Sequence, residues 1–274
     1  MLFERRRILP FAVLSILAAL LTLVAATAGL FVEDFYPVSG GLLAGAWGQD
    51  LVALLAAGLI LIAVPLALRD SARAVAIWSG CLGYLIYGYL LYSVDALYTS
   101  LYPLYIAILG LSVYSLIGLL SGIDAPAFRA RIDDHVPIRF IALTLAIPAL
   151  LLPPWLMFLL EGVAAGEPPV LNTVLVIDLS FVIPAFILTA VLVWKRRDWG
   201  FVFAGLALTK LTTMGLSLVI STFWANTAFG IAVDPFQTPI YAAFALIGGL
   251  ALALLLRHIH PAPQPQNQMR AVRA

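Results

Sequence analysis

Eight separate runs of about twenty apolar residues, each long enough to cross a hydrocarbon layer about 30 Å thick, dictate what this chain can become. They cover residues 9–31, 50–68, 74–94, 102–121, 138–160, 174–194, 200–223 and 239–256. A membrane β-barrel would show alternating strands of about ten residues. These runs are unbroken, so the spacing predicts helices. Composition agrees: 63% of residues are hydrophobic and 11% charged, where a soluble domain is about half apolar and about a quarter charged. The expected fold is an all-α integral membrane protein with eight transmembrane helices, in one domain over residues 1–256, followed by a polar, Pro-rich and disordered tail over 257–274.

The charges test that count. With the N-terminus placed in the cytoplasm, loops on that side hold 14 of the 15 basic residues, from Arg5, Arg6 and Arg7 through Arg69, Arg73, Arg129, Arg131 and Arg139 to Lys195, Arg196, Arg197 and Arg257. The opposite side holds none, which is the positive-inside pattern. Adding or removing one helix would scatter the arginines over both faces. The reading is therefore a multi-pass protein of a bacterial or archaeal cytoplasmic membrane with both termini cytoplasmic. The first run exceeds the usual signal-peptide core of about 7–15 residues, so it is expected to stay as a span. The net charge of +1 leaves no basic surplus for nucleic acid, and the single cysteine, Cys81, allows no internal disulfide.

A shift of 128 residues superposes Glu33 on Glu161, Asp50 on Asp178, Arg69 on Arg197, Asp70 on Asp198 and Arg129 on Arg257. Two parallel four-helix repeats, 1–128 and 129–256, would give this, as would two unrelated sets of four helices with similar loops. The run over 176–180 and the Trp199-Gly200 turn resemble those of bacterial multi-span proteins, a resemblance that implies no activity.

The fifteenth basic residue, Lys210, falls inside the seventh span. An ammonium at the bilayer centre costs about 2.5–3.5 kcal/mol on the insertion scale and needs a partner. Asp178 in the sixth span is the expected one. A short turn joins the two helices, and at about 1.5 Å per residue the two side chains stand about 24 Å and about 17 Å from it, a gap that an extended lysine or one water bridges. Thr209, Thr213, Ser217 and Ser221 recur every four residues beside Lys210, either as hydrogen-bonding neighbours or as a small-residue packing stripe. Pro184 should free the carbonyl of Ser180, and Pro148, Pro153 and Pro154 should break or bend the fifth span. Interrupted helices next to an intramembrane charge point to a transport site, although kinks that only shape packing fit equally.

Tyr84 and Tyr87 lie near mid-membrane in the third span, where a phenol needs a partner, and they are candidate cavity residues. Tyr92, Tyr98 and Tyr102 read as an aromatic belt at the outer surface. Residues 32–49, with Gly40, Gly41, Gly45 and Gly48, read as the longest outer loop, carrying a short interfacial or re-entrant segment that Asp50 closes. No metal-binding, P-loop, nucleophile-elbow or dinucleotide motif is present, His135, His258 and His260 all fall at the cytoplasmic edge, and no cofactor is expected. Three functions stay open. The first is a carrier of a small solute or ion, with Asp178, Lys210, Thr209, Thr213 and Ser180 between helices five, six and seven. The second is a non-catalytic membrane subunit packing against a partner or a second copy. The third is an enzyme acting on lipid or quinone around Tyr84, Tyr87 and Asp178.

Overall fold

The computed structural model describes residues 1–95 and 97–261. Eight helices are long and apolar enough to cross a membrane: α1 (Arg5–Phe31), α2 (Gly40–Ala67), α3 (Ala72–Val94), α4 (Tyr102–Gly122), α5 (Ile138–Ala165), α6 (Asn172–Trp194), α7 (Asp198–Phe229) and α8 (Gln237–Arg257). The chain is an all-α polytopic membrane protein. Its outward faces explain why it needs lipid. Leu9, Val13, Leu17, Leu20 and Val24 of α1, Ile106 and Ile117 of α4, and Leu246 and Leu250 of α8 are all exposed, and apolar surface on that scale is stable only against hydrocarbon. Of the tail expected from residue 257, residues 258–260 pack onto the bundle, and Ile259 pairs with Ile132 in an isolated antiparallel bridge. From residue 262 on, the tail lies outside the described residues.

One boundary departs from expectation. The segment over 40–49 is the first third of α2, so no separate interfacial or re-entrant element stands before Asp50. Its glycines allow helices to touch. A Cβ on Gly48 would meet the Ser221 hydroxyl, with the Ser217 carbonyl at 2.7 Å, and a Cβ on Gly80 of α3 would meet Thr209 and stand 2.7 Å from the Leu206 carbonyl. Without a hydrophobic driving force between helices in lipid, such close approach is what dispersion packing requires.

These crossings put α7 at the centre of the bundle. It packs on α2, α3, α6 and α8. Helices α1 to α4 close a circuit of neighbours, α1 on α2, α2 on α3, α3 on α4 and α4 on α1, and α5 to α8 repeat the same circuit. Between the circuits α7 lies along α2 and α3, whereas α3 meets only the first turns of α6. That uneven seam leaves an open space.

Two helices flanking the space are interrupted. In α5 a 3-10 turn (Ile147–Leu151) separates two α segments, with Pro148 inside it and Pro153 and Pro154 opening the next segment. Prolines lack the N–H that the α ladder needs but are tolerated in a first turn. In α6 a π turn (Asp178–Val182) sits just ahead of Pro184. The Ile183 amide reaches back to the Asp178 carbonyl, which relieves the register that Pro184 disrupts. Single π turns inside α-helices often mark functional sites.

The two ends of the bundle differ. At the arginine-bearing end, the Leu2 amide donates to the Asp70 carboxylate at 2.8 Å, Arg131 donates to the same carboxylate at 2.6 Å, and Arg73 donates to the Ile259 carbonyl at 2.7 Å. The Asp133 amide donates to the His258 carbonyl at 3.0 Å, and Arg129 lies 4.6 Å from the centre of the Phe201 ring. Burial alone would raise the Asp70 pKa, but the Leu2 amide and Arg131 outweigh it and hold that carboxyl below its usual range. Asp133, hydrogen-bonded to the His135 amide and ring, is lowered to about 2. At the acidic end, a bond from the Thr173 hydroxyl in the first turn of α6 to Asp95 at the end of α3 crosses the α3–α6 seam.

Candidate functional site

The space along the α3–α6 seam is a cavity of about 620 Å³. Its lining starts among residues of the acidic end, Gly41, Asp95 and Val170, and reaches Asp178 and Met214 inside the bundle. Five aromatic side chains contribute to its wall: Tyr87 and Tyr92 of α3, Trp155 of α5, and Tyr241 and Phe244 of α8.

Asp178 is placed by the π turn and is 3% exposed. Trp155, at the first turn after the break in α5, donates its indole N–H to Asp178 Oδ2 at 2.9 Å. Asp178 Oδ1 has no hydrogen-bond partner among the described residues. A buried acceptor left open costs about 1–3 kcal/mol, more when it is charged, so this oxygen is an unfilled hydrogen-bonding position on a residue that lines the cavity.

Lys210 is 6% exposed, but no ion pair joins it to a carboxylate among the described residues. Of the two arrangements that helix geometry allows, an extended lysine on the carboxylate or one water between them, the direct contact is not formed. Tyr87 comes between the two groups. The ammonium stands 4.1 Å from the centre of the Tyr87 ring and 3.1 Å from Met214 Sδ, while Tyr87 and Asp178 line the same cavity. A ring face attracts a desolvated cation by about 2 kcal/mol, and the thioether is a weak acceptor. Lys210 thus sits behind the lining formed by Tyr87 and Met214.

The other sequence candidates divide. Tyr87 lines the cavity. Tyr84 does not; its hydroxyl donates to the Gln49 carbonyl at 2.9 Å and the side chain is fully packed. Thr209 and Thr213 donate to backbone carbonyls one turn earlier at 2.9 Å and face neighbouring helices. Ser217 and Ser221, higher on the same stripe, do reach the cavity. Ser180 is exposed and bonds to the Val176 carbonyl. A position two residues on from Asp178 along the π turn lies on the opposite side of the helix, so Ser180 points away.

The sequence reading passed over Trp155, Gln49 and Tyr241. A signal existed for the first. Most tryptophans fit interface positions, but Trp155 lies well inside the fifth span next to two prolines, where an indole N–H needs an acceptor.

Asp50, read as closing an outer loop, is 1% exposed and forms a second buried carboxylate. It accepts from the Tyr36 hydroxyl at 2.5 Å and lies 3.2 Å from the Tyr92 hydroxyl, which is also 3.0 Å from the Ala46 carbonyl. Tyr89 and Tyr105 both pack edge-on around Tyr92 at 5.7 and 5.3 Å. Tyr92 is therefore a core residue and the wall between Asp50 and the cavity, whereas Tyr98 and Tyr102 stack at 4.3 Å near the surface. Among the described residues, no three His, Cys, Asp or Glu side chains come together as a metal ion would require.

The fold and the cavity define a class, the polytopic helical membrane protein with a polar group buried beside a lined space. Compared with protein-family models, curated proteins and solved structures, the chain matches none.

Proposed function

We propose that this protein is a secondary carrier of an ion or small solute, with Asp178 as the carboxylate that binds a proton or a cation. One observation carries the reading: a buried carboxylate with an open oxygen, set at the break of an interrupted helix and lining a cavity inside the bundle. Breaks in α5 and α6 on either side of that carboxylate supply the local freedom a moving gate needs. Lys210 acts as a counter-charge through Tyr87. Thr209 and Thr213 support the α3–α7 crossing rather than contact solute. The arginine-bearing end faces the cytoplasm of a bacterial or archaeal cell by the positive-inside rule, so the cavity opens outward. The recurring circuit of helix neighbours supports descent from two parallel four-helix repeats, in which Asp50 and Asp178 occupy equivalent positions.

The test is flux. Protein in liposomes, with trapped dyes for H⁺ and Na⁺, should dissipate an imposed pH or Na⁺ gradient faster than protein-free liposomes. Asp178→Asn should remove the excess while the protein stays monodisperse. A wild-type rate equal to that of empty liposomes overturns the carrier reading. It would then favour the second reading, a membrane subunit packing against a partner or another copy, which the tight small-residue crossings of α7 also suit.

A further inference from the structure

The chemistry of the lining says which solutes the cavity suits. Asp178 and Asp95 both line it, and no Lys, Arg or His does. Asp95 Oδ1 is already taken by Thr173. Asp178 Oδ1 is a buried acceptor with no donor among the described residues, so the missing partner is a donor, and a positive one best matches a carboxylate. The remaining wall is largely hydrocarbon and aromatic: Tyr87, Tyr92, Trp155, Tyr241 and Phe244 with leucine and valine between them. Ring faces attract cations and repel anions through their quadrupole. A volume of about 620 Å³ falls in the range that encloses a drug-sized molecule, far more than a bare metal ion needs.

We infer that the cavity binds a protonated amine with an aromatic or branched apolar body, its ammonium donating to Asp178 Oδ1 and its body lying against the aromatic wall. This rests on the carrier reading only for what happens after binding. A primary or secondary ammonium fits better than a quaternary one, because the open oxygen needs an N–H. Lys210 is the internal competitor. It lies behind Tyr87 and Met214 of the lining, whereas a ligand in the cavity meets Asp178 from the lined side. Tyr87 then separates two cations, the ligand on the cavity side and Lys210 behind, with Phe186 beyond at 5.9 Å from the ammonium.

Binding is measured on the full chain in detergent by calorimetry, with quenching of tryptophan fluorescence as a second readout. The probes are phenethylammonium, its neutral isostere phenethyl alcohol, and hydrocinnamate as the anion. The ammonium is expected to bind at least tenfold tighter than the alcohol, with hydrocinnamate weakest. Asp178→Asn should erase the ammonium-to-alcohol ratio. Lys210→Met should increase ammonium affinity about 25-fold by removing the competitor (about 2 kcal/mol of screened attraction for Asp178, at about 1.4 kcal/mol per decade). Equal affinities for ammonium and alcohol in the unmodified protein, or tighter binding of hydrocinnamate, overturn the inference whether or not the variants fold. If the ammonium binds as expected and no gradient is ever dissipated in liposomes, the carrier reading fails and the ligand class stands. If gradients are dissipated without a preference for the ammonium, the reverse holds.

Discussion

Asp178 and Lys210 should behave as one electrostatic unit although no hydrogen bond joins them. The ammonium stands 4.1 Å off the face of Tyr87 and the carboxylate lines the same cavity as that ring. No ion pair forms between them within 4 Å, and at an effective dielectric near 20 two unit charges about 7 Å apart attract by about 2 kcal/mol. Asp178→Asn and Lys210→Met each remove this attraction and strand the other charge, so each single variant should lose at least that much stability. For a chain of this size about 1 kcal/mol moves the melting midpoint by roughly 2 °C, giving a drop of about 4 °C or more. The double variant strands nothing and also sheds the insertion penalty of an ammonium, about 2.5–3.5 kcal/mol. It should melt at or above the wild-type temperature. The assay is thermal unfolding of the four proteins in one detergent, followed by size-exclusion with fluorescence detection. Additive losses, with the double variant as low as the two singles summed, would refute the coupling and with it the placement of Tyr87 between the two charges. A recovered melting midpoint with no recovery of flux would separate the pair's structural role from the functional role of Asp178.

Two further outcomes follow from other parts of the fold. Gly48→Ala places a methyl against the Ser221 hydroxyl and 2.7 Å from the Ser217 carbonyl; the α2–α7 crossing must open, at a cost of about 1–3 kcal/mol, and the melting midpoint should fall by several degrees, whereas Gly45→Ala, which meets nothing, should leave it unchanged. Asp70 has a lowered pKa in the folded protein, so its bonds to Leu2 and Arg131 stabilise the fold fully above the unfolded value of about 3.9 and lose their effect as pH falls through the lower folded value; Asp70→Asn should therefore lower the melting midpoint at pH 7, with the difference from wild type shrinking in acid, and a difference independent of pH would show that the charge of Asp70 is not what holds this end.

The eight spans could be read from the chain because unbroken hydropathy has no other stable outcome in lipid, and the prolines announced the breaks in α5 and α6. The start of α2 was hidden for the opposite reason. Gly40, Gly41, Gly45 and Gly48 signal a loop in water, but in a membrane the same residues mark where helices cross, and that depends on a partner helix far away in sequence. The neighbourhood of Asp178 and Lys210 was legible from the short turn between α6 and α7. Their indirect contact was not, because an intervening ring from α3 is a tertiary fact. Thr209 and Thr213 look like donors for a solute, yet short hydroxyls in a helix are readily satisfied by the carbonyl one turn back, and theirs are. Asp50 was misplaced because the tyrosines that bury it come from the α1–α2 connection and from α3, and no local pattern ties Tyr36 to Tyr92.

The loops at the arginine-bearing end are cross-linked by Asp70, Arg73, Arg131 and the Asp133 amide, while at the acidic end, among the described residues, the Tyr36–Asp50–Tyr92 network ties the first helices together and the side-chain bond across the α3–α6 seam is that between Asp95 and Thr173. Mechanically this makes a pair of tweezers. The riveted end serves as a pivot, α7, about 48 Å long for its 32 residues, is the stiff arm, and compliance is concentrated in the jaws on either side of the α3–α6 seam. Thr173→Val, which removes the clasp on Asp95, should therefore loosen the seam at the acidic end while leaving the pivot intact.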